Sequence, residues 1–327
     1  MWVLFSIFVG VALAIDLGVI GRIKKMFAKG PNKKSETDAK KARSTNDALA
    51  WTIVWISLGL IFAGVIYLDM GYAKMLQYIT GYTLEKTLSV DNMFVFLLIF
   101  TSLGIPHRYQ HKVLSVGILS AIAMRVPLII AGVSLLELFH WMIYVFGAFL
   151  IFTAIRMFAQ KKEEKIIVER NIAVRALKKV MPVDVEIKSD KFLICKNGII
   201  YATPLLVAIA IVEMTDLVFA LDSIPAVLAI TSDPFIVITS NIFAIFGLRS
   251  LYFLLSGSME KFYYLKPALT ALLFFIGFKM LLSEFYDISI EISLAVICSI
   301  LGIAIALSYV KTRAESQQRT SSRDRIG

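Results

Sequence analysis

Long apolar stretches separated by short polar or basic segments run through almost the whole chain. They fall at about 1–21, 48–68, 73–104, 113–136, 140–160, 198–230, 235–257, 267–285 and 289–310. Each approaches or exceeds the roughly 20 residues that a helix needs to cross a hydrocarbon core, and only helices or closed barrels satisfy the backbone there. The pattern predicts an all-α polytopic membrane protein with about nine transmembrane helices. The stretches at 73–104 and 198–230 are longer than a perpendicular span requires, so they are expected to be tilted or broken. Residues 1–21 lack a basic leading region and a small-x-small cleavage site and contain Asp16, which favours a retained first span over a signal peptide.

Polar positions inside these stretches repeat. Glu85-Lys86-Thr87-Leu88-Ser89-Val90-Asp91-Asn92 aligns with Asp216 to Ser223 at an offset of 131, pairing Glu85 with Asp216, Asp91 with Asp222 and Asn92 with Ser223. Downstream, Ala121-Ile122-Ala123-Met124-Arg125 has its counterpart in Ala244 to Arg249, and the Phe-rich run from Gly147 to Arg156 in the run from Leu272 to Lys279. Each half reads as acid helix, Arg helix, Phe-rich helix ending in a base. The segments 73–160 and 198–285 are therefore expected to be two three-helix repeats, inverted because each holds an odd number of spans. In transporters built this way, the binding site lies at the repeat interface near the midplane. The spans at 1–21, 48–68 and 289–310 are accessory. Residues 22–47 form a basic cytoplasmic loop, 161–197 a charged cytoplasmic loop partly helical around Val168 to Lys179, and 311–327 a disordered tail.

The composition agrees, with 58% hydrophobic residues and a mean hydropathy of +0.77. A net charge of +10 could indicate a nucleic-acid partner, but 28 of the 34 Lys and Arg residues lie in five segments: 22–47, 107–112, 161–197, 258–267 and the tail from Lys311. With nine spans these segments fall on one side. The basic excess thus reads as topology, with the N-terminus outside and the C-terminus cytoplasmic in the cell membrane. The expected partners are the lipid bilayer, with anionic headgroups near 22–47, and no nucleic acid. Cys195 and Cys298 are too few and too far apart to define a metal site or a disulfide framework.

A charge at the bilayer centre costs roughly 2.5–3.5 kcal/mol even on the lenient insertion scale, so intramembrane acids mark a site or a buried ion pair. The candidate metal ligands are Glu85, Asp91, Asn92, Glu213, Asp216 and Asp222, with Ser223 beside them and the hydroxyls of Ser89 and Thr215 in reserve. All are hard oxygen donors, suited to Mn2+, Mg2+ or Ca2+, and no His or Cys lies in these spans to favour Zn2+ or Cu+. Glu213 and Asp216 share a helix face, whereas Asp222 lies about 120° away on a straight helix. A break near 221–225, assisted by Pro225, is expected to bring them together. Arg125 and Arg249 need partners, and buried ion pairs are their plainest use. Lys86 either offsets one further acid or faces elsewhere, and Asn241 and Ser240 either add hydrogen bonds around the site or serve only interhelical packing. Five acids against two midspan arginines still leave a negative surplus, which a bound cation or protons would offset.

These stretches resemble the TerC family of integral membrane proteins, in particular its alkaline-induced, riboswitch-associated branch. The resemblance rests on Gly81-Tyr82 with Glu85 to Asn92, on Lys196-Asn197-Gly198 with Tyr201-Ala202-Thr203-Pro204, on Glu213 to Ala226, and on Thr231 to Val237. It continues through Thr239 to Ile245 and Leu248-Arg249, and covers about residues 48–310. It implies export of Mn2+ across the cytoplasmic membrane, with Mn2+ as cargo and no organic cofactor. An enzymatic activity is not expected: an aspartyl protease would pair two Asp residues across a scissile bond, and these acids occur in sets of two and three with amide and hydroxyl neighbours. The alternative from another class is a membrane scaffold whose cytoplasmic loops recruit partners and whose intramembrane charges are only ion pairs.

Overall fold

A computed structural model describes residues 1–16, 37–159, 172–184, 190–196, 198–256, 263–286 and 288–323. Eleven described helices and one hairpin make up the chain. They are α1 (Trp2–Asp16), α2 (Thr37–Met70), α3 (Tyr72–Ser102), α4 (His107–Leu138), α5 (Met142–Ala159), α6 (Ile172–Val180) and β1 (Leu193–Lys196) with β2 (Ile199–Ala202). There follow α7 (Pro204–Leu228), α8 (Pro234–Ile245), α9 (Leu248–Leu255), α10 (Leu265–Leu282) and α11 (Ile290–Arg323). The hairpin is antiparallel, with Leu193 opposite Ala202 and Lys196 opposite Ile199.

By length and composition, six helices among the described residues can cross a membrane: the Asp47–Met70 part of α2, α4, α5, α7, α10 and the Ile290–Arg313 part of α11. A seventh span arises if α8 and α9, bent by 41° at a short break, are one. This is fewer than the nine expected. Among the described residues α1 has 15, too few to span on its own, and the 31-residue α3 carries Lys74, Glu85, Lys86 and Asp91. Charge hides α3 from a hydropathy criterion even though its length, about 46 Å at 1.5 Å per residue, exceeds a hydrocarbon core. The burial pattern is that of a protein in lipid. Glu85, Arg125, Asp216 and Asn241 are buried, while Leu68 and Phe158 are 85% and 82% exposed.

Two expectations at the chain's margins change. The helix of α2 starts at Thr37, within the stretch read as a loop, and α11 continues to Arg323 through the tail read as disordered. No Gly or Pro interrupts Glu315 to Arg323, so nothing local stops the helix there. Residues 22–36 of the basic loop and 161–171, 185–189 and 197 of the charged loop lie outside the described residues.

Packing pairs the helices in an exchangeable way. Along α4 and α7, Gly117 meets Val212, Ser120 meets Glu213, Arg125 meets Asp216 and Gly132 meets Leu228, so the two run parallel. Along α3 and α8, Lys74 meets Asp233, Gly81 meets Ser240 and Glu85 meets Asn241, and these also run parallel. Against each other α3 and α7 are antiparallel, with Gly81 beside Val227 and Glu85 sharing a partner with Asp216. Helices α5 and α10 cross at two glycines. A Cβ at Gly147 would lie 3.0 Å from the Gly277 carbonyl oxygen, and one at Gly277 2.8 Å from that of Gly147. Small residues permit this backbone contact, which supplies packing where lipid provides no hydrophobic drive between helices. Swapping α3, α4 and α5 for α7, α8–α9 and α10 with reversal maps these contacts onto one another.

The expected break near Pro225 is absent: α7 is helical from Pro204 to Leu228 with Pro225 inside it. A proline removes one donor but does not free a turn that is held from outside, and Ile224 and Leu228 pack on Gly132 of α4. The break falls instead in the helix that pairs with α3. Helix α8 is capped at its start by Asp233, whose side chain accepts from the amides of Phe235 and Ile236, and at its end by Phe246. Gly247 then adopts φ 79° and ψ 2°, the left-handed region open to glycine. Trp55 of α2 stacks on Phe246 at 5.3 Å, and its side chain would lie 2.7 Å from a Cβ at Gly247.

Candidate functional site

Three helices bring charge to one buried point. Arg125 is placed about halfway along α4 and is 2% exposed. Its Nη1 donates to Glu85 Oε2 of α3 at 2.9 Å, and its Nη2 and Nε donate to Asp216 Oδ1 and Oδ2 of α7 at 3.0 and 3.3 Å. Asn241 of α8 completes the node: its Nδ2 donates to Glu85 Oε1 at 2.7 Å and its Oδ1 accepts from Arg125 Nη1 at 3.3 Å. The planar fork of a guanidinium suits this two-sided grip, with Asp216 bound in bidentate fashion. Two carboxylates share one guanidinium, so the node retains one formal negative charge. A buried pair contributes little over an apolar substitute, but removal of one partner leaves an uncompensated buried charge.

The remaining acids spread away from this node. Glu213 accepts from Ser120 Oγ of α4, while its Oε2 is buried with no hydrogen-bond partner. It also lines a cleft of about 470 Å³ with Met124 of α4, Met214 and Leu217 of α7, and Ala173 and Leu177 of α6. Asp222 is half-buried and accepts from Thr153 Oγ1 of α5 at 3.0 Å. Asp91 is half-buried on α3, and Asn92 beside it is 5% exposed. Each of Asp91 and Asp222 lies six residues, about 9 Å of helix rise, beyond its node acid. Because α3 and α7 are antiparallel, Asp91 and Asp222 lie on opposite sides of Arg125, with Glu213 on the Asp91 side.

The six expected ligands therefore do not converge in this arrangement. Among the described residues no three His, Cys, Asp or Glu side chains form a group that could hold a metal ion. Glu85 and Asp216 are engaged by Arg125, and the continuous α7 keeps Asp222 away from Asp216. The expectation of one arginine per half is also replaced: Arg125 serves both matched acids. Arg249 lies beyond the break, near the start of α9, where its Nη1 donates to Ser115 Oγ at 3.4 Å. Lys86 donates to backbone carbonyls of Ala244 at 3.1 Å and Phe246 at 2.9 Å.

Sequence reasoning missed Ser120 and Thr153, the hydroxyl partners of Glu213 and Asp222. Each sits in an otherwise apolar helix, a weak signal because a helical Ser or Thr usually returns its hydroxyl to its own backbone, as Ser120 also does to Val116. The buried side-chain polar atoms without a partner, among the described residues, are Tyr82 Oη and Ser89 Oγ on α3, and Glu213 Oε2 and Ser223 Oγ on α7. All four are oxygens on the two acidic helices. Such atoms call for water or an ion as partner.

The chain is similar along almost its whole length to several bacterial membrane proteins. It is 46% identical over 313 residues to an uncharacterized membrane protein of Myxococcus xanthus, covering 96% of this chain and 93% of that one. A Salmonella typhi protein named as a candidate membrane-bound redox modulator, Alx, is 42% identical, with 94% and 93% covered. A membrane protein of Rickettsia bellii is 35% identical over 97% and 99%. No solved structure matches the chain. The model of the integral membrane protein TerC family matches residues 70–316, which include every residue of the Arg125 node and both acidic helices, so the chain belongs to the TerC family of integral membrane proteins.

Proposed function

We propose that this protein exports a divalent metal cation, Mn2+, across the cytoplasmic membrane along the interface of α3 and α7. The observation that carries the reading is the placement of three unpartnered buried oxygens, Ser89 Oγ, Glu213 Oε2 and Ser223 Oγ, on these two helices, the fourth, Tyr82 Oη, lying against Gly59 of α2. With Glu85, Asp91, Asp216 and Asp222 they supply only hard oxygen donors, the chemistry that Mn2+, Mg2+ and Ca2+ accept. Asp91 and Glu213 lie on the side that the basic loops make cytoplasmic, and Asp222 on the outer side. A cation taken up at Asp91 and Glu213 meets Glu85 and Asp216 at the centre, where it competes with Arg125 for the same oxygens. It leaves past Asp222 and Thr153. Protons taken by the same carboxylates in exchange give the cycle its coupling, and the antiparallel, exchangeable packing of the two halves suits alternating access. The choice of Mn2+ comes from the family resemblance, since oxygen donors alone do not separate Mn2+ from Mg2+.

The satisfied Arg125 node favours one other reading, a membrane scaffold in which the charges only lock helices together. Reconstituted protein separates the two. Proteoliposomes should take up Mn2+ in preference to Mg2+, Ca2+ and Zn2+, faster with a pH gradient, and Asp91→Asn or Asp222→Asn should abolish uptake without loss of folded protein. Absence of uptake of every divalent ion would leave the scaffold. A redox role, the one named for the Salmonella relative, would fall here to Cys195 and Cys298, which are free, exposed thiols on β1 and α11.

A further inference from the structure

At the break between α8 and α9, the end of α8 is held from a neighbouring helix by a cation belonging to the chain itself. Where a helix stops, its last carbonyls lose their amide partners, and its C-terminus carries partial negative charge. The carbonyl oxygens of Ala244 and Phe246, both in fully buried residues, converge on Lys86 Nζ at 3.1 and 2.9 Å. The two flanking positions are fixed. Glu85, one residue before the lysine, is held by Arg125 and Asn241, and Asn241 itself precedes Ala244 by three residues on α8. On the far side of the break, Gly247 is held in the left-handed region with Trp55 against it. Backbone carbonyls of a discontinuous membrane helix, gathered on one point beside a carboxylate-bearing turn, are the donor set with which such helices hold a monovalent inorganic cation.

We propose that the carbonyls of Ala244 and Phe246 form a monovalent-cation site whose permanent occupant is the Lys86 ammonium. The lysine supplies one positive charge and three donors at a place where a sodium or potassium ion would otherwise be bound from solution. It ties α3 to the end of α8 at the break whatever the salt outside, so the protein holds its broken span without a monovalent co-ion. This goes beyond the divalent-export reading and does not depend on it. A lysine that only caps the last turn of α8 makes the same hydrogen bonds, but its loss would not be repaired by an ion of the right size and charge.

Thermal unfolding of the purified full chain in detergent tests this, with sodium, potassium or choline chloride at equal ionic strength. The wild type should unfold at the same temperature in all three. Lys86→Ala should unfold several degrees lower in choline and recover most of the difference, saturably, in sodium or potassium. Lys86→Met, whose apolar chain fills the site without charge, should stay low in every salt. If Lys86→Ala behaves alike in all three salts, or yields no monodisperse protein in any of them, no site remains for an inorganic ion and the proposal is overturned. It is overturned equally if Lys86→Met responds as strongly as Lys86→Ala, because the response would then be a bulk salt effect. None of these measurements involves divalent transport, so failure here and failure of the export reading are separate results.

Discussion

Helix α4 and its counterpart α8–α9 carry similar segments, Ala121-Ile122 to Arg125 and Ala244-Ile245 to Arg249, the second one residue longer, and take matching places, each alongside one acidic helix, yet one is continuous and the other broken. Helix α4 contains Pro127 and still runs unbroken from His107 to Leu138. The α8–α9 element has no proline inside it and bends by 41° at Phe246–Gly247. What separates them is the partner offered to the backbone. At Gly247 the chain can enter the left-handed region, Trp55 occupies the space a side chain would need, and Lys86 accepts the role of donor to the carbonyls. At Pro127 the helix continues unbroken. The consequence reaches the charges: continuous α4 places Arg125 at mid-helix between Glu85 and Asp216, while the break puts Arg249 on a separate short helix near Ser115. Two matched halves thus share one ion-pair node.

The sharpest way to break this contrast is at Arg125. Arg125→Leu leaves Glu85 and Asp216 buried without their cation and should destabilise the fold by about 3–5 kcal/mol, seen as loss of monodisperse protein or a large drop in unfolding temperature. Arg249→Leu, at a less buried position, should have a clearly smaller effect. Equal losses would mean that the halves are electrostatically equivalent after all. Next in size is the break itself. Gly247→Ala forces a Cβ against Trp55 at a positive φ and should cost about 1–3 kcal/mol. Adding Trp55→Gly, which removes the Cβ that would lie 2.7 Å from the new methyl, should recover the steric part only, and a double-mutant cycle of unfolding temperatures measures it.

Two smaller effects sharpen the comparison. Glu213→Gln keeps the bond from Ser120 and should shift stability by less than about 1 kcal/mol, yet it removes a charged ligand on the Asp91 side and should cut divalent uptake in proteoliposomes. Unchanged uptake would remove Glu213 from the route. Pro225→Ala should be nearly silent in thermal unfolding, within about 1 kcal/mol, because α7 is already continuous there. A large effect would restore Pro225 as a backbone device.

The split into readable and unreadable features follows the range of the interactions. Membrane class, the positions of most spans, the matched acidic helices and the paired arginine segments were legible because hydropathy, charge and spacing are properties of local sequence. The three-residue and six-residue spacings also placed Asp222 correctly off the face of Asp216. Span count was less legible, since Lys74, Glu85, Lys86 and Asp91 lower the hydropathy of α3 although Glu85 is buried and the others are partly buried. The break was assigned to Pro225 because proline is the visible helix breaker, whereas a glycine in an apolar run gives little warning that a tryptophan from α2 and a lysine from α3 will meet there.

The sequence by itself determined that this is an all-α membrane protein with more intramembrane acids than arginines, because burial of charge in a thin apolar slab leaves a local compositional trace. Only the tertiary structure decided which acids Arg125 sequesters and which it leaves to other partners. That choice depends on α4 and α7 running parallel, so that one guanidinium reaches two helices 40 and 91 residues away in the chain while Glu213 and Asp222 fall to hydroxyl partners. Hydrogen-bond geometry acts over about 3 Å in space, and no local pattern encodes which distant side chains will come within that range.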